Sequence, residues 1–201
     1  MSSPARQLLS VNVAPVTSVL IKGRRVATAI GKRPVSTLAQ PSRIAVRPLG
    51  LEGDEQADPS VHGGLSRALY AYPHEHYAFW QTVRAQAQVA LWDEALPHGL
   101  LGENLTITGL LEGDACIGDV LRFPDCALAV SEPRYPCFKF EAAMGFKHAP
   151  KMMAQSGFSG IYLAVRQPGS IAAGEHYVLE PGPREISIRE IFLAKMKQPK
   201  D

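Results

Sequence analysis

Short runs of alternating apolar and polar residues recur along the chain, most of them closed off by proline or glycine. Arg43 to Arg47 (RIAVR) alternates cleanly, and a period of two places successive side chains on opposite faces of a strand. Val11 to Leu20 and Arg25 to Ile30 carry β-branched residues at the same spacing, and Ala68 to Tyr72 runs as a strand into Pro73. Asn104 to Thr108 (NLTIT), Ala115 to Phe123, Ala127 to Ser131, Gly160 to Arg166 and His176 to Glu180 continue the series. Sixteen prolines and seventeen glycines interrupt the chain too often for long helices. Three stretches nevertheless have helical character. Pro73 suits a first helical position, and HEHYAFWQTVRAQAQVALW then sets Tyr77, Trp80, Val83 and Ala87 on one face. A second helix starts near Cys137 and runs to Gly145, and residues 185–196 (EISIREIFLAKM) form a terminal one. The pattern predicts a mostly β fold of the α+β class with a few peripheral helices. Leu-Glu-Gly-Asp occurs at Leu51–Asp54 and again at Leu111–Asp114, marking two glycine turns rather than a duplication.

Composition narrows the function classes. A chain of 201 residues suits one domain with a sizeable core, and 46% hydrophobic with 20% charged residues is ordinary for a globular protein. A net charge of +2 gives no footprint for nucleic acid, so any anion must be held by a local site. The opening MSSPARQLLSVNV lacks the apolar core of a secretory signal, and no apolar run approaches the roughly 18 residues of a membrane span. These features predict a cytoplasmic protein with no membrane partner. In a reducing compartment, a conspicuous cysteine among the three (Cys116, Cys126, Cys137) serves chemistry more often than cross-linking.

Cys137 is the conspicuous one. It follows Pro136 in SEPRYPCFKF, between Arg134 and Lys139, where a strand-rich stretch gives way to a helix. Cations and free helix N–H groups favour a thiolate there, although a cysteine in a fold is also commonly an inert buried apolar group. Cys116 and Cys126 fit that second description, each lying within or beside an apolar run. In VHGGLSRALY, His62 and Arg67 are candidate donors to an anion, with Gly63 and Gly64 allowing close backbone approach; a plain glycine turn explains the same residues. Asn104 in GENLTI either contacts a heterocycle or caps a turn, and Lys32 in AIGKRPV reads as a solvated loop lysine. His74-Glu75-His76 is no metal pair, because residues two apart diverge on a helix. Phe140 stands where the second cysteine of a zinc-deaminase P-C-x-x-C belongs, and neither a phosphate loop nor a dinucleotide fingerprint is present.

Taken in order, GLEGDEQAD, VHGG, ALYAYPHEHYAFW, GENL with GLLE and IGD, and VSEPRYPCFK resemble the MOSC family, more narrowly its YiiM-type branch, from about Lys32 to Lys139. The resemblance implies a β-barrel fold related to the C-terminal domain of molybdenum cofactor sulfurases. It implies a bound molybdenum cofactor (molybdopterin) with Cys137 as metal ligand, and reduction of N-hydroxylated small molecules such as 6-hydroxylaminopurine. Asn104 and Leu105 would lie at the pterin, and Lys32, His62, Gly63, Gly64, Arg67 and Arg134 near the cofactor phosphate or the substrate. His62 or Asp54 would help deliver protons to the leaving oxygen. An electron-donating flavin or iron–sulfur reductase is the implied partner. Two other activities are compatible with the same resemblance: sulfur transfer through a Cys137 persulfide, and cofactor carriage without turnover. YiiM-type chains carry a three-helix domain after the barrel, so the resemblance divides this chain into a MOSC-like body, 1–184, and a helical tail, 185–201.

Overall fold

Over residues 5–58 and 63–198, which the computed structural model describes, the alternation resolves into thirteen strands and four α-helices. The strands are β1 (Gln7–Val13), β2 (Thr17–Ile21), β3 (Arg24–Thr28), β4 (Arg33–Thr37), β5 (Ile44–Arg47), β6 (Gly50–Leu51) and β7 (Leu69–Pro73). They continue as β8 (Leu105–Thr108), β9 (Val120–Arg122), β10 (Ala127–Pro133), β11 (Ile161–Gln167), β12 (Gly169–Ile171) and β13 (Val178–Glu180). The helices are α1 (Tyr77–Gln86), α2 (Phe138–Met144), α3 (Ala149–Ser156) and α4 (Ile188–Lys197).

Eight strands share one sheet in the order β13-β9-β10-β11-β7-β8-β1-β4. All its pairings are antiparallel except β7 with β8, the two strands that flank α1 in the chain. The expected barrel is not closed by a ladder among the described residues. β4 covers only Ser10–Val13 of β1, so the free half of β1 takes the chain just before β13 instead. An isolated bridge, Gln7 to His176, and the Leu8 N–H donating to Glu175 O at 2.9 Å lace the two ends together. Two register shifts in β1 bend it towards that contact. The result is a mixed α+β fold dominated by one large, partly laced sheet.

β7 shows how the layers are organised. Leu69 and Ala71 belong to one apolar cluster, with Leu8, Leu105 and Ile107, while Tyr70 and Tyr72 belong to a second with Trp80, Phe140 and Phe192. A strand buried on both faces therefore separates the sheet's own core from a helical layer. Tyr77 and Trp80 bury the inner face of α1, and Val83 packs against it. The helix is shorter than its apolar pattern predicts: it stops at Gln86, Ala87 is exposed, and Gln88 takes a positive φ of 60°. Trp92, in the stretch expected to be helical, is 66% exposed.

The terminal segment is knitted into the body. Ser187 and Glu190 form a reciprocal capping box that starts α4, Ile188 joins the first core and Phe192 the second. Other differences are local. The run from Val11 to Leu20 breaks at Ala14–Val16 into β1 and β2, and only Val120–Arg122 of the Ala115–Phe123 run is strand. β4 and α3 are not among the elements the pattern predicts. None of the helices in the described residues is long and apolar enough to cross a membrane.

Candidate functional site

The end of β10 and the start of α2 deliver the central residues. β10 stops at Pro133, Pro136 follows in the connection, and Cys137 occupies the N-cap of α2 in extended conformation (φ −139°, ψ 170°). Its carbonyl accepts the N–H groups of Phe140 and Glu141, and its thiol side is half-buried. Cys116 and Cys126 are buried, and burial pushes the Cys126 thiol up to about 12, with Glu175 and Asp125 adding to the effect. Cys126 therefore persists as a thiol, as its apolar context suggests.

Arg134 lies behind Cys137 and is 5% exposed. Its guanidinium donates to Leu101 O and sits 4.8 Å from the Tyr70 ring centroid and 5.2 Å from that of Phe140. Burial opposes its charge, but Tyr70, Tyr162 and Cys137 outweigh that and hold it above the ordinary guanidinium value. Among the described residues Arg134 has no carboxylate partner. Its cationic charge is therefore directed towards the two tyrosines and the Cys137 sulfur. Tyr70 and Tyr162 pair directly across β7 and β11 with ring centroids 5.4 Å apart, and burial raises both phenols.

Lys32 is not the solvated lysine its sequence context suggests. Its side chain is 8% exposed, and Nζ donates to Asp54 Oδ1 at 2.5 Å. Gly99 makes that burial possible: it has φ +88°, and a Cβ there would lie 2.6 Å from the Lys32 carbonyl oxygen. Burial lowers the Lys32 pKa below the usual amine value, and Asp54 only partly restores it. Asp54 also accepts the Ala14 N–H at 2.8 Å through Oδ1 and the Asn104 amide at 2.8 Å through Oδ2. Its oxygens are thus occupied as acceptors. Asn104 accepts the Tyr70 N–H at 3.1 Å and donates to Asn12 O at 3.3 Å, so its amide is committed to holding Asp54, β1 and β7 together.

Lys32, Asp54, Arg67, Asn104, Arg134 and Cys137 all line one cleft, with Tyr70, Tyr162 and Lys139. The other expected positions differ. Arg67 forms a two-pronged pair with Glu132 (both N–O distances 2.8 Å), which offsets its charge. The Gly64 N–H, expected to meet an anion, donates to Gln56 Oε1 at 2.8 Å, and Gly63 is buried. Leu105 is fully buried in the sheet core, so its side chain does not face the cleft. His62 lies outside the described residues.

Sequence reasoning missed Tyr70, Tyr162 and Glu132, whose roles come from cross-strand neighbours rather than from local motifs. It also passed over Glu103, next to Asn104. One Glu103 oxygen accepts the Tyr77 hydroxyl and the Gly99 N–H; the other is buried without a partner among the described residues. Burial lifts this carboxyl above the usual range. No group of three or more His, Cys, Asp or Glu is placed to hold a metal ion among the described residues.

The geometry has counterparts. The MOSC domain model matches residues 58–178. An uncharacterized protein of Bacillus subtilis, YflK, is 33% identical over 190 residues, covering 94% of this chain and 80% of its own length. Protein YiiM of Escherichia coli is 35% identical over 153 residues, covering 76% of this chain and 66% of YiiM. A protein of Gibberella moniliformis named "Reductase" is 36% identical over 127 residues, which span 63% of this chain and 22% of that protein. The crystal structure of YiiM from Geobacillus stearothermophilus superposes with a TM-score of 0.74 at 30% identity, covering 96% of this chain and 84% of that one. With the family model spanning over half the chain and YiiM proteins alike in sequence and structure, this chain belongs to the MOSC domain family, in its YiiM-type branch.

Proposed function

We propose that this protein reduces N-hydroxylated compounds, hydroxylaminopurine-type bases among them, to amines at a molybdenum cofactor held in the cleft. The observation that carries the reading is the Cys137 thiol in a cleft wall beside Arg134, a cation with no carboxylate partner among the described residues. A neighbouring cation favours the thiolate, and thiolate is a soft ligand suited to a thiophilic metal. The described residues offer no cluster of further metal ligands. A metal on Cys137 would therefore take its other ligands from a bound organic group, as a pterin dithiolene provides. The donor set fits that group: a soft sulfur, with Arg134 and Lys139 for a phosphate. The reductase name carried by one relative supports the same class of chemistry.

The overall change is R–NH–OH plus two electrons and two protons giving R–NH2 and water. The cofactor supplies the electrons, which a flavin or iron–sulfur partner would replenish. The chain supplies the rest. The charge of Arg134 acts on the Cys137 sulfur and favours its metal-binding thiolate form. Lys32 serves as proton donor to the departing oxygen: its ammonium lies in the cleft, and its lowered pKa makes it a stronger acid than an exposed lysine. Asp54, fully engaged as an acceptor, orients Lys32 and is not itself the proton source.

The test uses protein made in a host that synthesises the cofactor. Stoichiometric molybdenum and viologen-driven reduction of 6-hydroxylaminopurine are expected. One added sulfur on Cys137 with no molybdenum would replace the reading with sulfur transfer. Molybdenum without turnover would replace it with cofactor carriage.

A further inference from the structure

Beside the cleft lies a second, larger cavity of about 610 Å³, inside the roughly 300–1,000 Å³ typical of small-molecule sites. Thr28, Ile30, Lys32 and Lys139 line both spaces, so the two adjoin across these four side chains. The β2–β3 hairpin forms one wall, the 97–100 loop another, and α2 a third through Ala142 and Ala143. The walls differ in kind from those of the cleft. Val19, Leu20, Pro97 and Leu100 present apolar surface, and Leu20 is 73% exposed at the hairpin. Lys32 and Lys139 bring charge at the junction, and Arg33 and His98 are the basic groups among the other lining residues.

The contrast decides what belongs where. A pterin edge carries hydrogen-bond donors and acceptors that an aliphatic wall would leave unpaired, and a phosphate belongs with the cations of the cleft. An apolar body meets the opposite balance: burial in the groove is favourable and leaves no polar group unsatisfied. We infer that the groove binds the aryl or alkyl body of the substrate while the N–OH end enters the cleft at Lys32 and Cys137. This rests on the reductase reading for the identity of the polar end. It adds the substrate class: N-hydroxylated compounds with an extended apolar body, in preference to small polar ones.

The test compares N-hydroxyurea with a hexyl-substituted benzamidoxime, both reduced by viologen on cofactor-loaded protein. Calorimetric binding of the hexyl compound to full-length protein made without the cofactor is measured alongside. Ala143→Trp fills the groove from α2, and Leu20→Arg charges its hairpin wall at an exposed position. Leu91→Arg, at an exposed residue outside the groove, is the control. Each groove variant is expected to weaken hexyl binding about tenfold or more, and to lower the hexyl-to-hydroxyurea ratio of kcat/KM by a similar factor. The control should leave the ratio as in the wild type. Unchanged binding and an unchanged ratio in both groove variants would overturn the assignment. So would loss of molybdenum from folded groove variants, which would give the groove to the cofactor. If the wild type reduces neither compound but the binding losses appear, the groove stands and the reductase reading falls.

Discussion

Substitution of Asn104 separates a residue that builds the site from one that only touches a ligand. The amide oxygen is the acceptor for the Tyr70 N–H, and the amide nitrogen steadies Asp54 at 2.8 Å. Asn104→Ala orphans a buried N–H, which costs roughly 1–3 kcal/mol, and removes one of the donors to Asp54, about 1 kcal/mol more. A loss of roughly 2–4 kcal/mol is expected, a large share of a typical 5–15 kcal/mol stability. Asn104→Asp keeps the acceptor for Tyr70 but sets a second carboxylate against Asp54. Two unit charges about 4 Å apart repel by about 4 kcal/mol at an effective dielectric of 20, so the pair retains a proton in the folded state. The unfolded chain releases that proton near pH 4. The native variant then binds more protons than the unfolded one, and its stability relative to wild type falls as pH rises above about 4. Urea unfolding of cofactor-free protein at pH 5 and pH 8 reads both effects as midpoints at constant slope. The alanine variant should lose a similar amount at both values, the aspartate variant markedly more at pH 8. Losses below about 1 kcal/mol in both variants, or identical pH behaviour, would refute the positioning role.

Three further outcomes follow from the same structure. Cys137→Ser should abolish turnover with little change in melting temperature, whereas Cys126→Ser, 1% exposed, should cost roughly 1–3 kcal/mol and retain turnover; the reverse pattern would make Cys137 structural. Phe192→Ala should cost about 3–5 kcal/mol in urea unfolding, because the ring is fully buried and stacks on Tyr135 at 5.8 Å; a negligible loss would make α4 a detachable tail. Burial holds His74 and His98 below the ordinary histidine range, with Glu75 partly opposing this at His74 and His74 reinforcing it at His98. The unfolded chain therefore takes up protons first near pH 6.5, and stability should fall as pH drops from there through the folded values. His98→Gln should flatten that decline in melting scans from pH 7.5 to 5.5, and an unchanged slope would contradict it.

Alternation made many of the strands legible because β5, β8 and β10 each carry their pattern within a few residues. Sheet order was not legible, since the laced edge depends on how much of β1 the separate strand β4 covers. β4 itself was hidden by Arg33 and Pro34, and the end of α1 by an apolar segment that nonetheless stays at the surface. At the site, Cys137 could be found because a strand run, a proline and a helix start are contiguous in sequence. Lys32 could not, because its burial depends on Asp54 and on the close approach of Gly99, both remote in the chain. Tyr70 and Tyr162 escaped for the same reason: each is an unremarked strand residue until the register of β7 on β11 sets them side by side beneath Arg134 and Arg67.

Everything proposed for the cleft depends on the Cys137 sulfur binding the metal. X-ray absorption at the molybdenum edge, on wild type and Cys137→Ser purified from the same cofactor-producing host, tests it most directly. A sulfur shell is expected in the wild type, and it should shrink by one ligand in the variant. An identical sulfur shell in both proteins, at equal molybdenum content, would contradict it.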